Sequence, residues 1–392
     1  MRGVRRGGGV DRAPLRMKKQ LQRAGLMLAS TLVSLAFAEA ALHYLNIGTP
    51  ILRDVDPIFG WAPIAGAEGV WTSEGRARVQ ITEHGFRGVD HPRERPEGVF
   101  RIAVLGDSFT EAKQVALDDA YPSHVERALA SCEGLGGRRP EVLSFGVSGY
   151  GTAQEALVLE HRVWRYQPDL VVLGFLTGND IADNHPELRA NGHAPFYRLE
   201  EGELLLDTSF LNTDWYRSRR DGGTLRNVRR RSRLWQLLGG ARSERSPEAG
   251  LRDEIYAAPT DPRWADAWLW TEAILEQMSA STAAHGAAFG VVTLSNAIQV
   301  HPDPEARRAY REGLQVDDLR YPDRRVAAVG ERAGFPTLEL VPHLREVAEQ
   351  RGEALHGFPN TQPNTGHWNE EGHRVAGEHI AQWLCEHLVS RE

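Results

Sequence analysis

The stretch RIAVLGDSFTE, Arg101 to Glu111, decides how the rest of the chain is read. Residues 102–105 form an unbroken apolar block, which is typical of a strand buried on both faces of a parallel sheet. The block stops at Gly-Asp-Ser, so Ser108 is predicted just beyond the carboxyl end of that strand. Open α/β sheets bind ligands at this edge, and a following helix would direct backbone N–H groups at them. Ser108 is therefore a candidate nucleophile; the alternative is that Asp107 and Ser108 only cap the helix.

Apolar strands and helical patterns alternate on both sides of this stretch. Besides the strand at 101–106, strands are predicted at 141–145, 169–175, 290–294 and 338–341. Helices are predicted at about 118–132, 152–166, 264–285 and 371–388, with one more that begins near 323. This alternation implies a parallel sheet with right-handed crossovers. The predicted fold class is α/β, a three-layer sandwich around about five parallel strands.

The composition describes a globular protein that is acidic overall. Of the 392 residues, 41% are hydrophobic and 25% are charged, and the net charge is −7. The first 42 residues contain eight Lys or Arg and two acidic residues, so the remainder is more acidic than the whole. Nucleic acid is excluded as a partner because its phosphate backbone requires clustered positive charge. The two cysteines, Cys132 and Cys385, lack metal-ligand spacing, and whether they pair is left open.

Residues 1–45 are predicted to target the chain to a membrane. A basic segment, 1–23, runs into AGLMLASTLVSLAFAEAAL at 24–42. The uncharged part of the apolar stretch is short for a membrane span, which needs about 20 residues. Residues 36–38 (Ala-Phe-Ala) resemble a signal-peptide cleavage site, and cleavage there would release the protein as a secreted one. The apolar run resumes after Glu39, which favours an uncleaved anchor with its basic flank in the cytoplasm. Both readings export the remaining chain; a buried helix of a cytosolic protein is the third alternative.

The rest of the chain is expected to form a lead-in and one large domain. Residues 46–100 are rich in Gly, Pro and charge and are predicted to pack irregularly on the core. Residues 101–392 form the α/β domain, in which the alternation lapses over an insertion at about 185–262. That insertion contains RNVRRRSR, Arg226 to Arg233. This basic cluster is interpreted as a solvated helix face, with an anionic glycan or a lipid headgroup as the alternative partner.

Three further polar stretches follow predicted elements at the same edge of the sheet. SFGVSGYGTAQ follows the second strand, where Gly146 allows close backbone approach and offers an unobstructed N–H. GFLTGNDIADN follows the third strand and places the Asn179 amide there. NTGHWNEEGH puts His367 in a loop just before the last helix. A serine, a histidine and convergent N–H donors are the groups that acyl transfer through a tetrahedral intermediate requires.

Together these stretches resemble the SGNH family of GDSL-type hydrolases. Its motif blocks occur in the family's order: GDSFTE, the glycine of SFGVSG, the GND of LTGND, and a histidine followed shortly by Gly-His. The lead-in segments GWAPIAG and ITEHGFRG are similar to the exported bacterial branch of the family. The second glycine of a Gly-x-Ser-x-Gly elbow is missing after Ser108, which argues against the α/β-hydrolase fold.

The resemblance implies a flavodoxin-like sheet and a set of site residues. Ser108 is implied as the nucleophile and His367 as the general base. The backbone N–H groups of Ser108 and Gly146, with the side chain of Asn179, are implied as the oxyanion hole. No organic cofactor and no metal is expected, because no cluster of His, Cys and carboxylate residues has ligand spacing.

One position departs from the family pattern. The family usually has an Asp three residues before the histidine, where this chain has Asn364. In a serine protease the corresponding Asp-to-Asn change lowers the rate about 10⁴-fold. Three alternatives follow: a dyad whose His367 is oriented by Asn364 or a backbone carbonyl, an acid recruited from elsewhere in the chain, or a protein that no longer hydrolyses esters.

Several other conspicuous residues have structural interpretations. His373 is interpreted as a first-turn helix residue rather than the base. Asp180 and Asp183 are expected to brace the loop after the third strand. Trp264 and Trp268 have helical spacing, so packing on a core is favoured over a sugar-stacking platform that would also include Trp270.

The favoured function is a membrane-anchored, extracytoplasmic serine esterase. It would remove or transfer a short acyl group, such as O-acetyl, on an envelope or exported glycan; its partners would be an acyl-ester substrate and the membrane. The alternative is a catalytically silent envelope protein that binds glycan in the same cleft.

Overall fold

The computed structural model describes residues 13–45, 47–189, 192–223, 228, 231–240 and 252–389. These residues form two compact units. One contains the described residues within 1–48 and 224–243, and the other contains those within 49–223 and 244–392. Part of the basic cluster at 226–233 lies outside the described residues.

The strands are numbered in chain order: β1 (Arg53–Asp56), β2 (Gly60–Pro63), β3 (Glu68–Trp71), β4 (Ala77–Gln80), β5 (Val99–Gly106), β6 (Arg139–Ser144), β7 (Leu170–Leu176), β8 (Phe196–Glu200), β9 (Glu203–Asp207), β10 (Ala288–Leu294) and β11 (Thr337–Glu339).

The described helices are likewise α1 (Ala13–Tyr44), α2 (Ser108–Glu111), α3 (Tyr121–Leu129), α4 (Thr152–His161), α5 (Asp180–Asp183), α6 (Asp214–Arg220), α7 (Arg233–Gly240), α8 (Pro262–Ala284), α9 (Pro304–Leu314), α10 (Tyr321–Ala333), α11 (Val341–Arg351) and α12 (Glu370–Leu384).

A five-stranded parallel sheet forms the centre of the larger unit. Its order is β6-β5-β7-β10-β11, so the first strand of the sheet lies between the second and the third. This is the flavodoxin-like order, whose ligand site lies where neighbouring crossovers leave in opposite directions, here between β5 and β7. The predicted α/β fold class is confirmed, and the carboxyl ends of β6, β5 and β7 are neighbours at one edge.

Helices cover both faces of the sheet, which explains why its central strands β5, β7 and β10 are mainly apolar. Ala103 and Leu105 of β5 face a core that includes residues of α4, α8 and α10. Ile102 and Val104 face the opposite core, with residues of α3, α11 and α12. Since every residue of β5 is buried, the alternation expected of a half-exposed strand is absent.

Small hairpins and one disulfide complete the larger unit. The lead-in folds into two antiparallel hairpins, β1–β2 and β3–β4, and the insertion contributes a third, β8–β9. Cys132 and Cys385 form a disulfide, which answers the question left open by the sequence. It ties the segment after α3 to the end of the last helix.

The smaller unit contains the apolar N-terminal helix. Within α1, Gln20–Tyr44 is long and apolar enough to cross a membrane, with a mean hydropathy of 1.7, and it is not buried against the described protein. It is a candidate span by length and composition alone. A signal sequence near the N-terminus has the same properties.

Candidate active site

Ser108 lies two residues beyond the end of β5 and is the first residue of α2. Asp107 caps this helix, since its carboxylate accepts a hydrogen bond from the backbone N–H of Phe109 at 2.9 Å. Ser108 remains partly exposed at the edge of the sheet. The capping role therefore falls to Asp107, and the Ser108 hydroxyl is available for other partners.

The Ser108 hydroxyl contacts His367. Its Oγ lies 2.8 Å from Nε2 of the imidazole and 3.4 Å from the Asp107 carboxylate. The shorter distance identifies Nε2 as the acceptor of the hydroxyl proton. His367 lies in the loop just before α12 and is itself partly exposed, so solvent reaches this pair of side chains.

The other ring nitrogen of His367 contacts Glu74, a residue that the sequence did not single out. Nδ1 lies 2.5 Å from Oε2 of Glu74, and the backbone N–H of His367 donates to Oε1 at 2.7 Å. An ionised carboxylate only accepts, so Nδ1 carries the proton and Nε2 is the free acceptor for Ser108. The three residues form a continuous chain of hydrogen bonds, Ser108 to His367 to Glu74, with the connectivity of a serine hydrolase triad.

This contact corrects the expectation that Asn364 orients His367. Asn364 has a left-handed backbone with φ of 59°, and its N–H donates to the carbonyl of His356 at 3.0 Å. It therefore shapes the turn that leads to His367. The carboxylate that contacts the imidazole belongs instead to Glu74, 293 positions away in the sequence. An acid recruited from elsewhere in the chain was the second of the three alternatives.

Docking of the β3–β4 hairpin, whose turn contains Glu74, holds this carboxylate in place. The Asn360 amide donates to the carbonyls of Thr72 and Gly75 at 3.0 and 3.1 Å. Its oxygen accepts the N–H of Gly75 at 2.9 Å. A Cβ at Gly366 would lie 2.2 Å from Oε1 of Glu74, so a glycine is needed there for the carboxylate to approach.

The charges at the site are set by burial and by these contacts. Burial by itself raises the pKa of Glu74, but the hydrogen bonds and charge of His367 outweigh it and hold the pKa below the usual value. Asp107 is fully buried, and burial raises its pKa although the Phe109 N–H, the charge of His367 and the Asn179 amide act in the opposite direction. Glu74 is therefore the better anion of the two carboxylates that contact the serine–histidine pair.

The other two sheet-edge residues lie beside the turn that carries Ser108. Nδ2 of Asn179 donates to Oδ2 of Asp107 at 3.1 Å, which uses one of its two hydrogens and leaves the second for a ligand. A Cβ on Gly146 would lie 2.4 Å from the backbone nitrogen of Glu111 in α2. The backbone at Gly146 thus packs against α2 more closely than any other residue would allow.

A buried histidine supports the loop that carries His367. Nδ1 of His356 lies 2.7 Å from the carbonyl of Gly366, and Nε2 lies 3.1 Å from the Ser295 hydroxyl, which accepts the indole N–H of Trp368 at 2.9 Å. Burial lowers the pKa of His356 to about 4, so the ring is neutral at pH 7. A neutral ring with its proton on Nδ1 satisfies all three contacts at once.

Other residues that stood out in the sequence have structural contacts. The His373 ring is fully buried and stacks on Tyr121, and the Asp180 carboxylate accepts the N–H of Leu176 at 2.7 Å. Trp264 and Trp268 are buried in the core. Within the described ranges, no three His, Cys, Asp or Glu side chains are arranged to hold a metal ion.

Comparison with known proteins gives distant structural matches only. No family model matches the sequence, and no curated protein matches it. An α/β hydrolase enzyme from the metagenome of Lake Arreo, Spain, matches with 16% identity and a TM-score of 0.37, and the match covers 75% of this chain and 97% of that enzyme's chain. The acetyl xylan esterase AlAXEase has 12% identity and a TM-score of 0.38, covering 72% and 98%.

A catalytic mutant of an acetylxylan esterase from Geobacillus stearothermophilus also matches, with 12% identity, a TM-score of 0.38, and coverage of 72% of this chain and 93% of its own. The solved structures that resemble this chain thus include α/β hydrolases and acetylxylan esterases. At this level of similarity the matches carry no argument about the activity of this chain, which has to come from its own residues.

Proposed function

We propose that this protein is a serine ester hydrolase of the SGNH type. The observation that carries the proposal is the hydrogen-bonded chain Ser108–His367–Glu74, with Oγ 2.8 Å from Nε2 and Nδ1 2.5 Å from the carboxylate. A serine hydroxyl is a weak nucleophile unless an adjacent base removes its proton. These contacts supply the base and, behind it, the carboxylate that stabilises the resulting imidazolium.

In the acylation step, Oγ of Ser108 forms a bond to the ester carbonyl carbon while Nε2 of His367 takes the hydroxyl proton. Glu74 keeps the second proton on Nδ1 and faces the positive charge that develops on the ring. The tetrahedral intermediate then breaks its bond to the leaving alkoxide, which receives the proton from Nε2. The products are the free alcohol and an acyl ester on Ser108.

In the second step, Nε2 removes a proton from water, whose oxygen attacks the acyl carbon. The bond to Oγ breaks, the proton returns to Ser108, and the carboxylic acid is released. We assign stabilisation of the intermediate's negative oxygen to the N–H groups of Ser108 and Gly146 and to the Asn179 amide, because donors placed at that oxygen lower the barrier in both steps. The partial exposure of Ser108 and His367 gives water access and so favours hydrolysis over transfer.

We place the catalytic unit outside the cytoplasm, anchored by α1. The exposed apolar helix at Gln20–Tyr44 follows a basic N-terminal segment, and positive flanks stay in the cytoplasm. The disulfide between Cys132 and Cys385 supports the same location, since disulfides persist in oxidising compartments. This location makes an acylated envelope or exported glycan the proposed substrate, with a short acyl group such as O-acetyl.

The proposal is tested by hydrolysis of p-nitrophenyl acetate. The wild-type protein should turn the ester over, and Ser108→Ala should lower kcat by at least about 10³-fold because the nucleophile is lost. Ser131→Ala, a change at an exposed serine on another segment, should leave the rate unchanged. Equal, slow hydrolysis by the wild type and Ser108→Ala would refute the esterase and favour a silent protein that binds glycan in the cleft.

A further inference from the structure

In the smaller unit, a second helix is attached to the apolar helix α1. The Glu39 carboxylate of α1 accepts the backbone N–H of Arg233 at 2.6 Å, the N–H of Leu234 at 3.1 Å and the Ser232 hydroxyl at 2.9 Å. Arg233 and Leu234 are the first two residues of α7, where backbone N–H groups have no partner within their own helix, and Ser232 directly precedes it. Glu39 thus caps α7 from outside and fixes its beginning on the side of α1.

The attachment point lies near one end of the candidate span. Gln20–Tyr44 has 25 residues, about 37 Å of helix, against a hydrocarbon core of about 30 Å. Glu39 is five residues before Tyr44, or about 7 Å along the axis. With the span centred in the bilayer, Glu39 lies within about 4 Å of the boundary between acyl chains and headgroups, on the far side from the basic N-terminus. Tyr44, which is 86% exposed, marks the end of the helix in the manner of an interfacial aromatic residue.

The described side chains of α7 have the composition of an interfacial helix. Trp235 and Leu237 are 47% and 48% exposed, although both are large and apolar. Arg231 and Arg233 come just before and at the start of the helix, in the basic stretch RNVRRRSR of an otherwise acidic protein. A short helix with apolar side chains exposed and arginines beside them binds at a membrane surface, where the arginines meet lipid phosphates.

We infer that α7 lies in the extracytoplasmic interface of the same bilayer that α1 enters. Leu237 inserts among the upper acyl chains, Trp235, on the other side of the helix, lies at the level of the headgroups, and Arg231 and Arg233 bind headgroup phosphates. This arrangement explains why the Glu39 carboxylate is tolerated in an apolar helix, because the N–H groups of Arg233 and Leu234 and the Ser232 hydroxyl satisfy it near the membrane boundary, where an unpartnered charge would be unfavourable. It also explains the basic cluster. The inference depends on α1 being a membrane anchor and not on the proposed esterase activity.

Lipid contact at Leu237 provides the test. Both native cysteines are in the disulfide, so Leu237→Cys introduces a single thiol that can carry a bimane fluorophore. The full-length variant is placed in phosphatidylglycerol nanodiscs that contain lipids with a nitroxide near the top of the acyl chain. Bimane at position 237 should be quenched several-fold more than bimane at Leu269→Cys, because Leu269 is a leucine of α8 with nearly the same exposed fraction, 49% against 48%.

A second comparison tests the arginines. In the Leu237→Cys background, Arg231→Gln combined with Arg233→Gln should reduce the quenching of bimane in phosphatidylglycerol discs. In phosphatidylcholine discs, which are uncharged, the two substitutions should change the quenching only slightly. An unchanged circular dichroism spectrum and melting temperature show that these variants are folded. Membrane retention after an alkaline wash shows that α1 is an anchor.

Two results would overturn the inference. The first is equal quenching at positions 237 and 269 in protein that the alkaline wash leaves in the membrane, which would mean that α7 meets water or another protein. The second is release of the full-length protein by the wash, which would remove the anchor itself. Neither result bears on the Ser108-dependent rate, so a failure here is distinct from a failure of the proposed function.

Discussion

Ser108 and Glu74 reach the same histidine from two regions that are held in place in different ways. Ser108 follows β5, which hydrogen-bonds to a parallel strand on each side and is fully buried. Glu74 lies in the turn of the two-stranded β3–β4 hairpin, which Asn360 fastens through three hydrogen bonds. The sheet sets the position of Ser108, whereas the position of the Glu74 carboxylate depends on the contacts that dock one hairpin.

The largest effect is expected from neutralising Glu74. Glu74→Gln keeps the size of the side chain but removes the charge and can present an N–H donor to Nδ1, which favours the wrong tautomer of His367. By analogy with the Asp-to-Asn change in a serine protease, kcat should fall by about 10³–10⁴-fold. The measurement is kcat on an activated acetyl ester. Glu68→Gln, at an exposed carboxylate of the same hairpin, is the control and should have little effect; a similar loss in both variants would point to damage to the hairpin.

The second-largest loss of kcat is expected at Asn179, at the carboxyl edge of the sheet. If the Asn179 amide stabilises the developing oxyanion, Asn179→Ala should lower kcat by about 10²–10³-fold with a smaller change in KM. Asn212→Ala, at an exposed asparagine of the insertion, serves as the matched control. A kcat within about threefold of the wild type would exclude Asn179 from the oxyanion hole.

A smaller effect is expected from loosening the hairpin. Asn360→Ala removes the bonds to Thr72 and Gly75 and lets Glu74 move, so kcat should fall by about tenfold, because small misplacements of catalytic groups are costly. Asn360 is a positioning residue, so its effect should disappear in the Glu74→Gln background, where there is no carboxylate left to position. Additive losses in the double variant would show that Asn360 acts on the site by another route.

The Glu74 contact should also leave a pH signature in stability. Its pKa is lowered in the folded protein from the usual 4.5, so its stabilisation is fully present above that value and is lost as the pH falls through the lower folded-state pKa. The free energy of unfolding of the wild type should exceed that of Glu74→Gln at pH 7, and the gap should narrow towards pH 3. Denaturant titrations of both proteins at pH 7 and pH 3 measure this difference in the free energy of unfolding. A gap that widens on acidification would contradict the assigned charge.

The smallest effect is expected at Asn364. Since Glu74 already occupies Nδ1 of His367, Asn364→Asp adds a second negative charge near a satisfied site and should leave kcat unchanged or lower it. A clear gain in kcat on the acetyl ester would mean that Asn364 belongs to the catalytic network after all.

The sequence predicted the sheet and what lies at its edge because both depend on local patterns. An apolar run such as Ile102 to Leu105 has few alternatives to a buried strand. Strand order then brings the segments after β5, β6 and β7 together without any knowledge of side-chain contacts. Ser108, Gly146 and Asn179 could be expected at one edge for this reason, and the loop before the last helix offered His367.

Glu74 could not be predicted in the same way. It lies in a turn of the lead-in, Ser-Glu-Gly at 73–75, and no motif spacing relates it to a histidine 293 positions later. Its contact depends on how the hairpin packs, and above all on Asn360 and Gly366, which are individually ordinary residues. The only sequence signal was negative: Asn364 stands where the family has an acid, so a carboxylate was missing and had to be sought elsewhere.

The order of the three residues along the chain has a consequence for how the protein is made. Glu74 and Ser108 lie 293 and 259 positions before His367 in the sequence. If the larger unit crosses a membrane from its N-terminal end, as the proposed location requires, the proposed nucleophile and its carboxylate cross long before the proposed base. Under the proposed function, ester hydrolysis begins only after the segment that carries His367 has crossed, so a polypeptide that stalls before this point is inactive in either compartment.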